Sequence, residues 1–252
     1  KLALQTGDSH GATNAFEMVL KIRSQEPLAL KGLRRAYTLD KVMSLVDQGS
    51  SYERMAELDK AKAAFKEALR LDPETTAALA AMQRLEDSEK ERRYNEMLSN
   101  GFRFLEENRF RESEKAFMAA YKIYGNRELP MRALTEVNSA RISYNIATFE
   151  EKAQKAKKEE DWKKTHAFFS KILELDDSLI RAQKEKKKAT FRIKLEKKIL
   201  RHLKETARLL DGEVYEEAKI ILKTAKNETQ RGEKLSSQIE TLEKVIALSR
   251  SP

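Results

Sequence analysis

Apolar positions along the chain fall into five stretches with the three-to-four-residue spacing of a helix that buries one face. They are Ala12, Phe16 and Leu20; Ala61, Phe65, Ala68 and Leu69; Phe110, Phe117, Ala120 and Tyr121; Trp162, Phe169, Ile172 and Leu173; and Tyr215, Ala218, Leu222 and Ala225. The large residues at their centres, Phe16, Phe65, Phe117, Phe169 and Leu222, lie 49, 52, 52 and 53 residues apart. So steady a period marks an array of supersecondary repeats. The pattern predicts short helices near 9–22, 59–71, 110–124, 161–175 and 214–226. Between them it predicts long ones near 27–56, 74–107, 128–159 and 178–210, with a final helix over 230–250. At about 1.5 Å per residue the long helices reach roughly 45–50 Å. Pro27, Pro73 and Pro130 stand at or just before three of their starts, where the ring presets the backbone and a missing amide donor costs little.

One repeat is complete within Val42–Thr75. Leu45, Gly49 and Tyr52 belong to a first helix, Ala61, Phe65, Ala68 and Leu69 to a second, and Pro73 closes the unit. Gly49 and Ala68 let two helix backbones approach, while Leu45, Tyr52 and Phe65 fill the space between them. In this the stretch resembles a tetratricopeptide repeat. Gly101 and Phe117, then Trp162 and Phe169, then Ala218 and Leu222, continue the pattern in later copies. The resemblance implies an all-α, right-handed solenoid of helical hairpins, and a working surface that holds other proteins.

That family repeats every 34 residues or so, and this chain has 15 to 19 more per unit, at 27–41, 76–93, 128–145 and 180–198. The insert at 76–93 contains no Gly or Pro. Eighteen residues make about five whole turns, which lengthens a helix without rotating its buried stripe. The expected boundaries are one array over 1–252, with a truncated repeat at 1–26, repeats at about 27–75, 76–127, 128–179 and 180–232, and a capping helix at 233–252. The first copy lacks its leading helix, because the chain already turns at Gly7 and Asp8. The small position of Gly49 and Gly101 becomes Ala153 and then roughly Thr206.

Composition agrees with helices and narrows the chemistry. Charged residues form 36% of the 252, with 8 Gly, 4 Pro and no Cys, so turn chemistry is scarce and thiol chemistry is excluded. No apolar run is long enough to span a membrane. The chain starts at Lys1 without a signal-peptide pattern, and we expect a fragment of a longer protein in bacterial style; its compartment stays open between a place outside the cytoplasm behind a membrane anchor and the cytoplasm itself. His10, His166 and His202 lie on different repeats without metal-ligand spacing, and neighbouring carboxylates such as Asp176/Asp177 or Glu216/Glu217 point apart on a helix. There is no phosphate loop, dinucleotide fingerprint or nucleophile elbow. The expectation is a non-catalytic scaffold without cofactor or metal. The lysine-and-asparagine clamp by which some tetratricopeptide co-chaperones grip a terminal carboxylate is absent: the matching positions hold Val46, Ser50, Ser99, Ala147 and Glu151.

Residues 181–204 depart from this evenness. They carry eleven Lys or Arg against Glu185 and Glu196, a net +9 that equals the formal charge of the whole chain. Lys187, Lys188, Arg192, Lys194, Lys198 and Arg201 form the candidate basic face. Two readings stand: a solvated face with Phe191, Leu195, Ile199 and Leu203 turned inward, or a contact surface for nucleic acid, anionic lipid or an anionic polymer. Pairing of the long helices between two copies, giving a homodimer, is a third expectation about partners.

Overall fold

The computed structural model describes residues 2–229 and 232–249. Outside it lie Lys1, residues 230–231 and residues 250–252, and with them the outer ends expected for the first repeat, the repeat at 180–232 and the capping helix. Every regular element among the described residues is helical. In order they are α1 (Leu2–Thr6), α2 (Ser9–Ile22), α3 (Pro27–Arg54), α4 (Leu58–Leu71), α5 (Thr76–Glu106), α6 (Phe110–Ile123), α7 (Leu129–Lys158), α8 (Trp162–Leu175), α9 (Ile180–Lys204), α10 (Gly212–Lys226) and α11 (Glu233–Leu248). Short helices of 14 residues thus alternate with long ones of 25 to 31. Two features differ from the sequence expectation. A short helix, α1, precedes Gly7 and buries Leu4 beside Met43 and Leu39. The last long helix stops at Lys204 and tightens into a 3-10 turn over Thr206–Leu210, which carries Leu209 fully into an apolar cluster.

The period is written into the backbone as well as the side chains. Ala56, Asn108 and Glu160 each adopt a left-handed conformation, with φ of 60, 57 and 52°. Each ends a long helix and stands two residues before the next short one. Asn tolerates this conformation, whereas Ala and Glu do so at about 1–2 kcal/mol. Asp8, Asp161 and Asp211 then cap the helices that follow them, accepting from the amides of Gly11, Lys164 and Glu213 at 2.8, 3.0 and 2.9 Å.

The chain divides into two units, residues 1–104 with 111–131 and residues 105–110 with 132–252. In the first, ring-to-backbone contacts close the hairpins. A Cβ at Gly49 would stand 2.6 Å from the ring of Phe65, and one at Gly101 2.5 Å from that of Phe117. The Ser113 hydroxyl, fully buried, donates to the Gly101 carbonyl at 2.8 Å and ties α6 to α5 at the same level. A third such contact lies in the insert half of α3, where the Phe16 ring from α2 covers Gly32. One long helix therefore packs against both its neighbours. The insert residues Ala78, Ala81 and Leu85 of α5 likewise share a core with Ala61, Phe65 and Ala68 of α4.

Charges hold the inserts to the loops that follow the short helices. Arg35 of α3 reaches Asp72 at 2.9 Å and Glu74 at 2.7 Å. Arg127 lies over the rings of Tyr94 and Tyr124, 4.4 and 4.0 Å from their centroids, and forms two bonds to Glu91 at 2.8 and 2.6 Å. Such a doubly bonded, ring-stacked guanidinium is a role that Lys cannot fill.

Among the described residues of the second unit, two apolar clusters bear on the site. Ala153, Phe169, Ile172 and Ala182 join α7, α8 and the start of α9. Leu195, Ile199, Leu209, Ala218, Ile221, Leu235 and Leu242 join the end of α9 to α10 and α11.

Replacing Gly49 by Val should lower stability by about 1–3 kcal/mol through overpacking against Phe65, and Phe65→Ala by about 3–5 kcal/mol through the cavity left behind. Urea unfolding followed by circular dichroism reads both. A Gly49→Val protein as stable as the parent would contradict the ring-to-backbone closure.

Candidate functional site

The basic helix α9 is sorted by its burial. Its inward stripe runs through Ala182, Ala189, Arg192, Leu195, Glu196, Ile199 and His202, a helical progression that leaves Phe191 one step out of phase. Phe191 was expected inward and is instead 45% exposed. Arg192 was expected on the basic face and is instead 2% exposed. The other expected cations, Lys187, Lys188, Lys194, Lys198 and Arg201, are exposed. Two of them have carboxylate partners: Lys188 pairs with Glu185 at 3.1 Å and Arg201 with Glu217 at 2.8 Å.

Arg192 survives burial because three groups converge on it. Glu196, one turn along α9, and Glu160, in the left-handed turn between α7 and α8, each lie 3.5 Å from its Nη2. The ring of Trp162 faces its guanidinium with the centroid 4.7 Å away. Both carboxylates have second duties. Glu160 accepts from the backbone amides of Lys234 at 2.8 Å and Leu235 at 3.4 Å, capping the otherwise unsatisfied start of α11. Glu196 accepts from the Lys234 ammonium at 2.8 Å. Gly232 lies so close to Glu160 that a Cβ there would collide with the carboxylate. A single polar joint thus connects the α7–α8 turn, the middle of α9 and the start of α11, at the point where α9 passes from one apolar cluster to the other.

Beside this joint opens a cleft of about 1310 Å³. One wall is the α9 face carrying Lys194, Lys197, Lys198, Arg201 and Lys204; the other is the turn from Glu159 to Lys163, with Lys234. Lys187 and Lys188 lie outside it. Asp161 is held below the ordinary carboxylate range by the Lys164 amide and ammonium, and Glu205 by its bond to Arg208. Behind the cleft His202 is buried with no hydrogen bond to its Nε2 among the described residues, and that nitrogen stands 3.8 Å from Glu217. Desolvation pushes its pKa down despite the nearby Glu217, with Arg201 and Arg208 acting in the same sense.

The residues assigned to repeat packing occupy graded positions. Gly49, Ala61, Phe65, Ala68, Gly101, Phe117, Trp162, Phe169 and Ala218 are buried, whereas Leu45 and Tyr52 are half-buried against the α3–α4 core. Leu222 is also half-buried, the deeper position in α10 being Ile221, and Pro73 is an exposed loop residue. Sequence reasoning missed Glu160, Lys197, Lys204, Lys234 and Gly32. Glu160 was detectable as the third member of the series Ala56, Asn108 and Glu160. The inward place of Arg192 follows from the phase of Ala189, Leu195 and Ile199. No group of three or more metal-ligating side chains converges among the described residues, and no helix among them is long and apolar enough to cross a membrane.

Arg192→Met leaves two buried carboxylates without their shared cation and should cost about 3–5 kcal/mol, most of it recovered when Glu160→Gln and Glu196→Gln are added. Denaturant unfolding of the single and triple variants checks this, and an unaffected single variant would contradict it. Because folded His202 holds a proton less readily than the unfolded chain, its contribution is complete above the ordinary imidazole pKa of about 6.5 and declines as pH falls below it. The loss of melting temperature between neutral and mildly acidic buffer should be smaller in His202→Gln than in the parent.

A family model for the tetratricopeptide repeat matches residues 44–75, which run from the second half of α3 through α4 to the loop of Asp72 and Pro73. No curated protein matches the chain. The matched span is the hairpin closed by Gly49 and Phe65, and over these residues the chain is similar to a tetratricopeptide repeat.

Proposed function

We propose that the chain is a scaffold that holds a partner protein or peptide along its helical hairpins. The observation that carries this is the repeat at 44–75: tetratricopeptide repeats generally mediate protein–protein interactions, and the family is generally non-catalytic. The repeats at about 27–75, 76–127, 128–179 and 180–232 are its proposed modules. A surface built from helical hairpins suits a partner that is itself a helix or an extended segment. Exposed apolar side chains such as Tyr37, Met55, Leu58 and Leu79 supply anchors of the kind that dominate peptide affinity.

The second reading makes α9 a tether for nucleic acid, anionic lipid or an anionic polymer. It is favoured by the exposed ammonium groups of Lys187, Lys194, Lys197 and Lys198, which pair with no carboxylate among the described residues.

Salt separates the two. Affinity capture with the purified chain, at low and at high salt with mass-spectrometric identification, should retain a discrete protein under both conditions. Contacts to phosphates weaken steeply, with a log–log slope of about −0.9 per phosphate on duplex DNA. Capture of nucleic acid alone, lost at high salt, would overturn the scaffold reading in favour of the tether.

A further inference from the structure

The cleft beside α9 is more selective than its overall charge suggests, because nearly every carboxylate that lines it is already engaged. Glu160 serves Arg192 and the first amides of α11, and Glu196 serves Arg192 and Lys234. Asp161 caps α8 and pairs with Lys164, and Glu205 pairs with Arg208. The ammonium groups of Lys163, Lys194, Lys197, Lys198 and Lys204 have no carboxylate partner among the described residues. The cleft therefore presents a surplus of positive charge in a concave space, where field lines concentrate.

The spacing describes the complement. Lys194, Lys197, Lys198, Arg201 and Lys204 share one face of α9 over ten residues, about 15 Å. A helix bearing Glu or Asp at positions i, i+3 or i+4, and i+7 presents carboxylates over a similar length. Apolar ground lies among the cations: Leu200, 42% exposed, and Ile193. The volume of about 1310 Å³ exceeds the roughly 300–1,000 Å³ usual for small-molecule pockets and suits a segment of chain.

Two features disfavour a nucleic acid here. The indole of Trp162, the aromatic group that a base would stack on, is 5% exposed and covered by Arg192. Leu200 and Ile193 reward an apolar side chain, which a peptide carries and a phosphate backbone does not.

We infer that this cleft receives an acidic, amphipathic peptide segment of the partner, its carboxylates against Lys194, Lys197, Lys198, Arg201 and Lys204 and its apolar residues against Leu200 and Ile193. This assignment rests on the scaffold reading and names the chemistry of the partner at one place.

Fluorescence anisotropy on the whole chain at physiological salt tests it. The probes are a labelled helical peptide with Glu at i, i+3, i+4 and i+7 and Leu between, the same peptide with Gln for Glu, and a labelled single-stranded oligothymidine. The parent protein should bind the Glu peptide at least about tenfold more tightly than the Gln peptide. The variant K194E/K197E/K198E/K204E should lose about tenfold or more, while K184E/K187E, reversed on the same helix outside the cleft, should keep its affinity. Circular dichroism verifies folding, and K194Q/K197Q/K198Q/K204Q serves if the reversal perturbs it. No binding of the Glu peptide, equal losses in the two reversal variants, or displacement of the Glu peptide by oligothymidine overturns the assignment. A discrete protein captured at high salt by the parent and by K194E/K197E/K198E/K204E alike would leave the scaffold reading standing while this cleft assignment falls.

Discussion

The hairpins of the first unit depend on aromatic rings laid directly against helix backbone. A phenylalanine can reach the axis of a neighbouring helix only where that helix has no side chain, and Gly49 and Gly101 provide this on α3 and α5. The contact fixes distance and rotation together, since only one face of the long helix accepts the ring. Once it is set, the small residues Ala61, Ala68 and Ala120 are buried as a consequence of close approach, and their low volume is a requirement of it. Gly32 extends the same device to the other end of α3, so a helix of 28 residues is gripped from both sides.

Much of this was legible in the sequence because the constraint is local in composition. Aromatic and glycine positions recur at a fixed interval, and helix boundaries follow within a few residues for nearly every element. The exceptions are physical. Glycine at 49 and 101 was found by likeness to a repeat, whereas Gly32 has no counterpart in that pattern and shows itself only when Phe16 is placed in space. The end of α9 was overestimated because nothing in Glu205 or Thr206 forbids helix; the apolar cluster that takes up Leu209 decides it.

The candidate site was legible in charge and illegible in direction. A run of eleven cations announces itself, yet which of them face water depends on a phase that one residue shifts. Arg192 and Phe191 exchanged their expected places because Arg192 finds two carboxylates and an indole within reach, whereas Phe191 is left exposed. Long-range partners of this kind leave no short-range trace: Glu160 is 32 positions from Arg192 and 74 from the amide of Lys234. Burial of Arg192 also removes one cation from the outer face and converts it into an internal fastener.

The cap that Glu160 places on α11 makes the start of one helix depend on a turn between two others. The acceptor for the first amides of α11 belongs to a turn 74 positions earlier in the chain, so that helix is capped only where the turn between α7 and α8 is in place. Glu160 must hold a left-handed backbone, and glycine, the residue best suited to that conformation, would bring no carboxylate. The turn thus accepts local strain and, in return, sets a carboxylate where the first amides of α11 need an acceptor.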